Sequence, residues 1–179
     1  MVDRKTMICH SKSMERLIIG IDPDIDKNGV CFLDPKEKKV NATTASFSSL
    51  MAFFANQAKC KEIETIVVVE ASWMHNKTNW HLSARDSRSI IAAKGYSVGQ
   101  NHQTGKLICE MARAYGLKGV EHIPLVKCWK GKDRKITDAE IKAFMPIQGR
   151  TNQESRDAAL LAWTFAGLPI RIKPRNVEK

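Results

Sequence analysis

Leu17-Ile18-Ile19-Gly20-Ile21-Asp22-Pro23 is an apolar run, rich in β-branched residues, that stops on a carboxylate followed by a proline. Apolarity without alternation is what a strand covered on both faces requires, and Pro23 cannot donate to a ladder that continued past it. A second run, Thr65-Ile66-Val67-Val68-Val69-Glu70, has the same form and also ends on an acid. Between the two lie shorter strand patterns at 30–33 and 40–45. They follow the turn signal Asp26-Lys27-Asn28-Gly29, whose Asn-Gly pair is expected to supply the positive φ of a tight hairpin. Ser48 or Ser49 then reads as the cap of a helix running to about Lys61, with Leu50, Phe53, Phe54 and Gln57 along one face. Three meandering strands, a crossover helix and a buried strand predict an α/β fold. Its sheet should be central, mixed and five-stranded, with three antiparallel strands followed by parallel ones, and flanked by helices.

Downstream, residues 71–99 are irregular in pattern, with a helical turn or two expected around 87–94. A helix is predicted over 104–117 and a strand over 120–125. Thr137 with Glu140, and Thr151 with Glu154, carry capping-box spacing ahead of two further helices. The chain of 179 residues, 43% hydrophobic and 27% charged, reads as a single domain over 16–170, with a flexible tail at 1–15 and a basic tail at 171–179. No apolar stretch approaches the roughly 20 residues that span a bilayer, and no apolar leader is present, so an intracellular, cytoplasmic protein without membrane association is expected. The five cysteines form no C-x-x-C pair, and the histidines show no metal-ligand spacing. No phosphate-binding Gly-rich loop exists, and no small-molecule cofactor is expected. A net charge of +10 favours a polyanionic partner.

The acids carry the chemistry. Glu154 and Asp157 fall at i and i+3 on the stripe continued by Ala158, Leu161, Ala162 and Phe165, so both are expected on a core-facing surface. Buried carboxylates must be paired, hydrogen-bonded or bound to metal. Bland roles exist for three of them, since Asp22 could organise a turn, Glu154 could complete a capping box and Asp157 could make a salt bridge. Glu70 has fewer, ending a strand that looks buried on both sides. If the two acid-ending strands are parallel neighbours, Asp22 and Glu70 share the carboxyl edge of the sheet, where open α/β sheets gather functional groups. Four oxygen ligands there suit Mg²⁺, or Mn²⁺, and two ions about 4 Å apart could activate water against a phosphodiester.

In this order the motifs resemble those of the RuvC-type Holliday-junction resolvases of the ribonuclease H-like superfamily. Ile19-Gly20-Ile21-Asp22-Pro23 resembles the first-strand motif, Val69-Glu70 the second acidic strand, and Glu154-x-x-Asp157-Ala158 the final acidic pair, over about 16–168. The resemblance implies a ribonuclease H-like fold and assigns catalysis and metal binding to Asp22, Glu70, Glu154 and Asp157. It further implies a homodimer cutting two strands of a four-way DNA junction symmetrically, and offers Trp73, three positions after Glu70, for stacking on an unpaired base. Trp73 is equally readable as a partly buried aromatic. The chain departs from the pattern at Asp24, where Gly is common, at Glu154, often Asp, and in a long connection from Glu70 to Gly105.

The run from Lys127 to Lys135 carries five positive charges against one negative, with Trp129 interleaved and Gly131 expected to give flexibility. Lys127, Lys132 and Lys135 are the favoured DNA contacts; Arg85, Arg88 and the tail residues Arg171, Lys173 and Arg175 follow. Two further possibilities stay open: a ribonuclease H-like nuclease acting on another duplex, and a non-catalytic nucleic-acid-binding protein. Actin-like ATPases, which also open on a Gly-x-Asp strand, need two such domains and more chain.

Overall fold

In the structure, a computed structural model, residues 15–75 and 85–171 are described. The expected tails, apart from Glu15 and Arg171, lie outside the described residues, as do Trp80, His81, Lys173 and Arg175. The elements run β1 (Glu15–Asp22), β2 (Asn28–Asp34), β3 (Lys39–Ala45), α1 (Phe47–Gln57), β4 (Ile63–Glu70), α2 (Arg88–Ala114), β5 (Lys118–His122), α3 (Asp138–Lys142) and α4 (Gln153–Phe165), with single 3₁₀ turns at Ser72–Met74 and Lys132–Arg134. The sheet has five strands in the order β3-β2-β1-β4-β5. β1 is antiparallel to β2, and β2 to β3, whereas β1 with β4 and β4 with β5 are parallel. This is the mixed sheet that the runs at Leu17 and Thr65 predict. Among the described residues no helix is long and apolar enough to cross a membrane.

Period-two alternation divides the two central strands between two cores. Ile19, Ile21, Val67 and Val69 pack with Leu50 and Phe54 of α1 and with Ile108, Cys109 and Ala112 of α2. Ile18, Ile66 and Val68 pack on the other face with Ala158, Leu161, Ala162 and Trp163 of α4. Asp22 and Glu70 fall in phase with the second set, so both acids stand on the α4 face, and the parallel register Ile21↔Val69 brings them to the sheet edge side by side.

Two glycines let α4 lie close enough to meet them. A Cβ at Gly20 would run into the Ala158 carbonyl oxygen and the Ala162 methyl, and one at Gly29 into the Glu154 carbonyl oxygen. The expected role of Gly29 is thereby corrected. Asn28 and Gly29 open β2, paired with Ala45 and Asp22 respectively, and neither has a positive φ. The turn before them is built by Asp24 Oδ1, which accepts from the backbone N–H groups of Asp26 and Lys27. Because the obstructing atoms at Gly29 are helix backbone and cannot swing aside, Gly29→Ala is expected to cost about 1–3 kcal/mol through overpacking. A urea titration checks this, and an unchanged midpoint would refute the close approach.

Other boundaries differ from expectation for physical reasons. The two helical pieces at 87–94 and 104–117 are one helix of 27 residues, α2, capped by the Ser87 side chain. All its buried residues lie between Thr104 and Ala112. The first half passes beyond the sheet, carries Gly95 and Gly99, exposes Ile90 and Tyr96, and so lacks the apolar stripe that marks a packed helix. The fifth strand ends at His122, where pairing with Glu70 ends, rather than at Leu125. Ser46, not Ser48 or Ser49, caps α1, which stops at Gln57. The Thr137 and Glu140 capping box forms as predicted. That of Thr151 and Glu154 does not, because Asn152 supplies the cap of α4 and Thr151 donates to Asp138 instead.

Candidate functional site

Asp22 from β1, Glu70 from β4 and Asp157 from α4 line one cleft, together with Lys127, Lys135, Asn101 and His102. Burial, then the charges of Glu70 and Asp157, hold the Asp22 carboxyl well above the usual carboxylate range. Glu70 is raised as well, by burial and by Asp157, with Lys127 and Lys135 opposing. The fold thus stores like charge at the sheet edge, and the cations beside it offset only part of the cost.

Asp157 is held on both oxygens. Lys135 Nζ donates to Oδ2 at 2.8 Å and Gln153 Nε2 to Oδ1 at 2.7 Å. Arg156 Nη2 donates to Gln153 Oε1 at 2.9 Å, which leaves the amide of Gln153 facing Asp157 with its donor end. Arg156 also donates to the Ile136 and Thr151 carbonyls, strapping the chain that carries Lys135 to the start of α4. Burial alone would lower the Lys135 ammonium, but the hydrogen bond and charge of Asp157, with Asp22 and Glu70 behind it, outweigh burial and raise it.

Glu154 departs from its expected place. It is exposed, outside the residues lining the cleft, and it reaches the site through the effect of its charge on Asp22. It sits at N2 of α4, where its backbone, not its side chain, is what comes close to Gly29.

Among the described residues no three His, Cys, Asp or Glu side chains stand close enough together to hold a metal ion as they are. The donor chemistry nonetheless fits a hard divalent cation, since three cleft-lining carboxylates offer oxygen ligands whose crowding the two lysines only partly offset. What differs from a ligating arrangement is Asp157, whose oxygens are engaged by Lys135 and Gln153.

The basic run is more ordered than its composition suggests. Trp129 is buried and stacked on Phe144, with ring centroids 6.3 Å apart. Gly131 gives close approach rather than flexibility, because a Cβ there would come 2.5 Å from the Lys135 carbonyl oxygen. Backbone bonds from Trp129 N to Arg134 O and from Gly131 N to Lys135 O fold the run into a loop. In it Asp133 and Arg134 both take left-handed φ, 54° and 58°. Lys127 and Lys135 line the cleft, whereas Lys132 is exposed outside it. Arg85 and Arg88 are exposed at the start of α2 and are not among the lining residues.

Trp73 is half-buried and fixed. Its Nε1 donates to Glu121 Oε2 at 3.3 Å, its ring lies against Gly105, His102 meets it edge-on at 6.1 Å, and Lys106 Nζ stands 5.9 Å from its centroid. The indole is a rigid element between the loop after β4 and α2. Gln153, Asn101 and His102 escaped the sequence reading. Gln153 had a usable signal, lying four residues before Asp157 on a predicted helix. Asn101 and His102 had none, since the first half of α2 carries no stripe.

No family model and no curated protein matches the chain. The structure is similar to two solved structures from Thermus thermophilus. One is RuvC in complex with Holliday junction substrate, 14% identical, TM-score 0.44, the match covering 84% of this chain and 92% of that one. The other is a structure of RuvC, 13% identical, TM-score 0.46, covering 84% and 96%.

Proposed function

We propose that the protein is a metal-dependent endonuclease that cuts branched DNA, four-way junctions foremost, by phosphodiester hydrolysis, and that it acts as a homodimer. The observation that carries the reading is the meeting of Asp22, Glu70 and Asp157 in one cleft at the carboxyl edge of β1 and β4, with lysines on its wall. A purely structural role leaves three carboxylates crowded, with Asp22 and Glu70 raised in proton affinity, at a cost to folding that nothing else explains. The substrate class comes from the ordered motifs at Asp22, Glu70 and Asp157 and from the net charge of +10.

Asp22, Glu70 and Asp157 would hold Mg²⁺ or Mn²⁺, two ions per site on this reading. A divalent metal there supplies Lewis acidity, which generates the nucleophile from water and offsets charge on the phosphodiester. Gln153 orients Asp157 through its Oδ1, and Arg156 orients Gln153. Lys127 and Lys135 offset phosphate charge on the cleft wall, while Lys132, Arg85 and Arg88 contact the backbone farther out. Trp73 offers a rigid face for an unstacked base.

An end-labelled synthetic four-way junction, incubated with Mg²⁺ or Mn²⁺ beside a flap and an RNA/DNA hybrid, tests this. Paired symmetrical nicks in the junction are expected. Junction binding with no cleavage in either metal would refute the nuclease, and preference for the hybrid would move the substrate to another duplex. The exposure of Glu154 ranks the acids: Asp157→Asn is expected to lower the single-turnover rate about 10-fold or more beyond Glu154→Gln, because only Asp157 lies within the cleft. Equal losses would place Glu154 among the direct ligands.

A further inference from the structure

We propose that Asp24 and Asn101 are positioning residues for Asp22, and that with Gly105 they make one face of α2 the seat on which the reactive end of β1 is held. The inference rests on the reading of Asp22 as a metal-binding carboxylate.

The chain leaving Asp22 touches α2 twice. At Gly105 the approach is so close that a Cβ would come 2.9 Å from Pro23 Cγ and 2.6 Å from the Trp73 ring. One turn earlier, on the same helical face, Asn101 makes a reciprocal pair. Its Nδ2 donates to Asp24 Oδ2 at 3.2 Å, and its Oδ1 accepts from the Ile25 N–H at 3.0 Å. Asp24 is committed elsewhere as well. Its Oδ1 accepts from the Asp26 and Lys27 N–H groups at 2.9 and 3.3 Å, and its own N–H donates to Asn28 Oδ1 at 3.1 Å. Asn28, buried at the head of β2, donates in turn to the Ala45 carbonyl.

The turn that begins one residue after Asp22 is therefore tied to α2, to itself and to the sheet. A carboxylate that ligates must be held to within about 0.5 Å, and the last strand residue gains that precision only if the turn after it cannot swing. Glycine at position 24, common in the motif that this segment resembles, would keep the backbone bond to Asn28 but supply none of the three made by the Asp24 carboxylate. Asp24 replaces conformational freedom with a fixed turn. With its oxygens taken by Asn101 and the turn amides, it is a tether and not a spare ligand.

The test uses the whole chain, Mn²⁺ calorimetry, and kcat and KM on a four-way junction. Asn101→Asp sets a carboxylate against Asp24, and Asn101→Ala deletes the tie without adding charge, which keeps the test usable should the first variant fail to fold. Both should weaken Mn²⁺ binding and lower kcat about 10–100-fold, as loss of an outer-shell partner does, with KM for DNA changed less than about 3-fold. Asp24→Asn combined with Asn101→Asp exchanges donor and acceptor while leaving the turn amides an oxygen, and should return both quantities to within about 3-fold of the starting protein. Variants at position 101 that keep Mn²⁺ affinity and kcat, or a double variant no better than Asn101→Asp, would overturn the inference while the nuclease reading stood. A starting protein that neither binds Mn²⁺ nor cuts any DNA would remove the nuclease reading, and this inference with it.

Discussion

Asp22→Asn should make the metal-free protein more stable and at the same time almost inactive. Burial and the neighbouring charges of Glu70 and Asp157 raise the proton affinity of Asp22 in the folded state. A carboxyl whose folded pKa is raised contributes stability that is fully present below its unfolded pKa, about 3.9 for Asp, and is lost as pH rises through the folded value. Glu70 adds in the same direction. The metal-free protein should therefore melt at progressively lower temperature as pH climbs above the ordinary carboxylate range. A neutral amide at position 22 removes the largest such contribution and relieves Glu70. A higher Tm than that of the unaltered protein at neutral pH, the difference shrinking toward pH 4, is expected. Mg²⁺ or Mn²⁺ should raise the Tm of the unaltered protein and do little for Asp22→Asn, since binding to the native state alone stabilises it. Cleavage of the four-way junction should fall by at least about 10²–10³ while junction affinity persists. Asp22→Asn with lower metal-free stability, or with full cleavage, would show that Asp22 is a structural turn residue.

The same opposition of stability and function explains which features were legible in the chain. Leu17-Ile18-Ile19-Gly20-Ile21-Asp22 and the run ending at Glu70 could be read because burial on both faces leaves an uninterrupted apolar signature, against which an acid at the end stands out. Asp157 was legible by helical phase with Leu161 and Phe165. Glu154 shares that phase to within a turn and still lies exposed at N2, meeting Gly29 of β2 through its backbone, whereas Ser155 one position on is buried. Hydrophobic periodicity says which stripe faces the core, not where along the helix the core ends. The first half of α2 is the larger omission. Its contribution to the cleft is mostly polar, Asn101 and His102 beside a single Val98, so no apolar stripe announces it. Gly29 and Gly131 were misread for a related reason: sequence supplies the residue, but only the partner across the fold, Glu154 backbone or Lys135 backbone, says whether glycine provides conformational freedom or room.

Lys135→Met should tighten metal binding and still slow cleavage. Lys135 Nζ pairs with Asp157 Oδ2 at 2.8 Å, and its ammonium is stabilised by Asp22 and Glu70 as well, so it acts as the internal cation of the metal-free cleft. A divalent ion using Asp157 Oδ2 must displace it, and the apparent affinity for that ion is reduced by the strength of the pair. Methionine keeps the length and apolar stem of lysine without the charge. Mn²⁺ affinity, measured by calorimetry, should rise about tenfold, corresponding to about 1.4 kcal/mol of lost competition. The metal-free Tm should fall, since Asp157 keeps Gln153 but loses its neutralising partner. The single-turnover cleavage rate at saturating Mn²⁺ should nevertheless drop about 10–100-fold, because an ammonium released from Asp157 stays on the cleft wall, where it would offset phosphate charge beside the metal. The opposed signs distinguish this from simple disruption: a misfolded or loosened site would lose metal affinity and rate together, and that outcome would return Lys135 to an ordinary salt bridge.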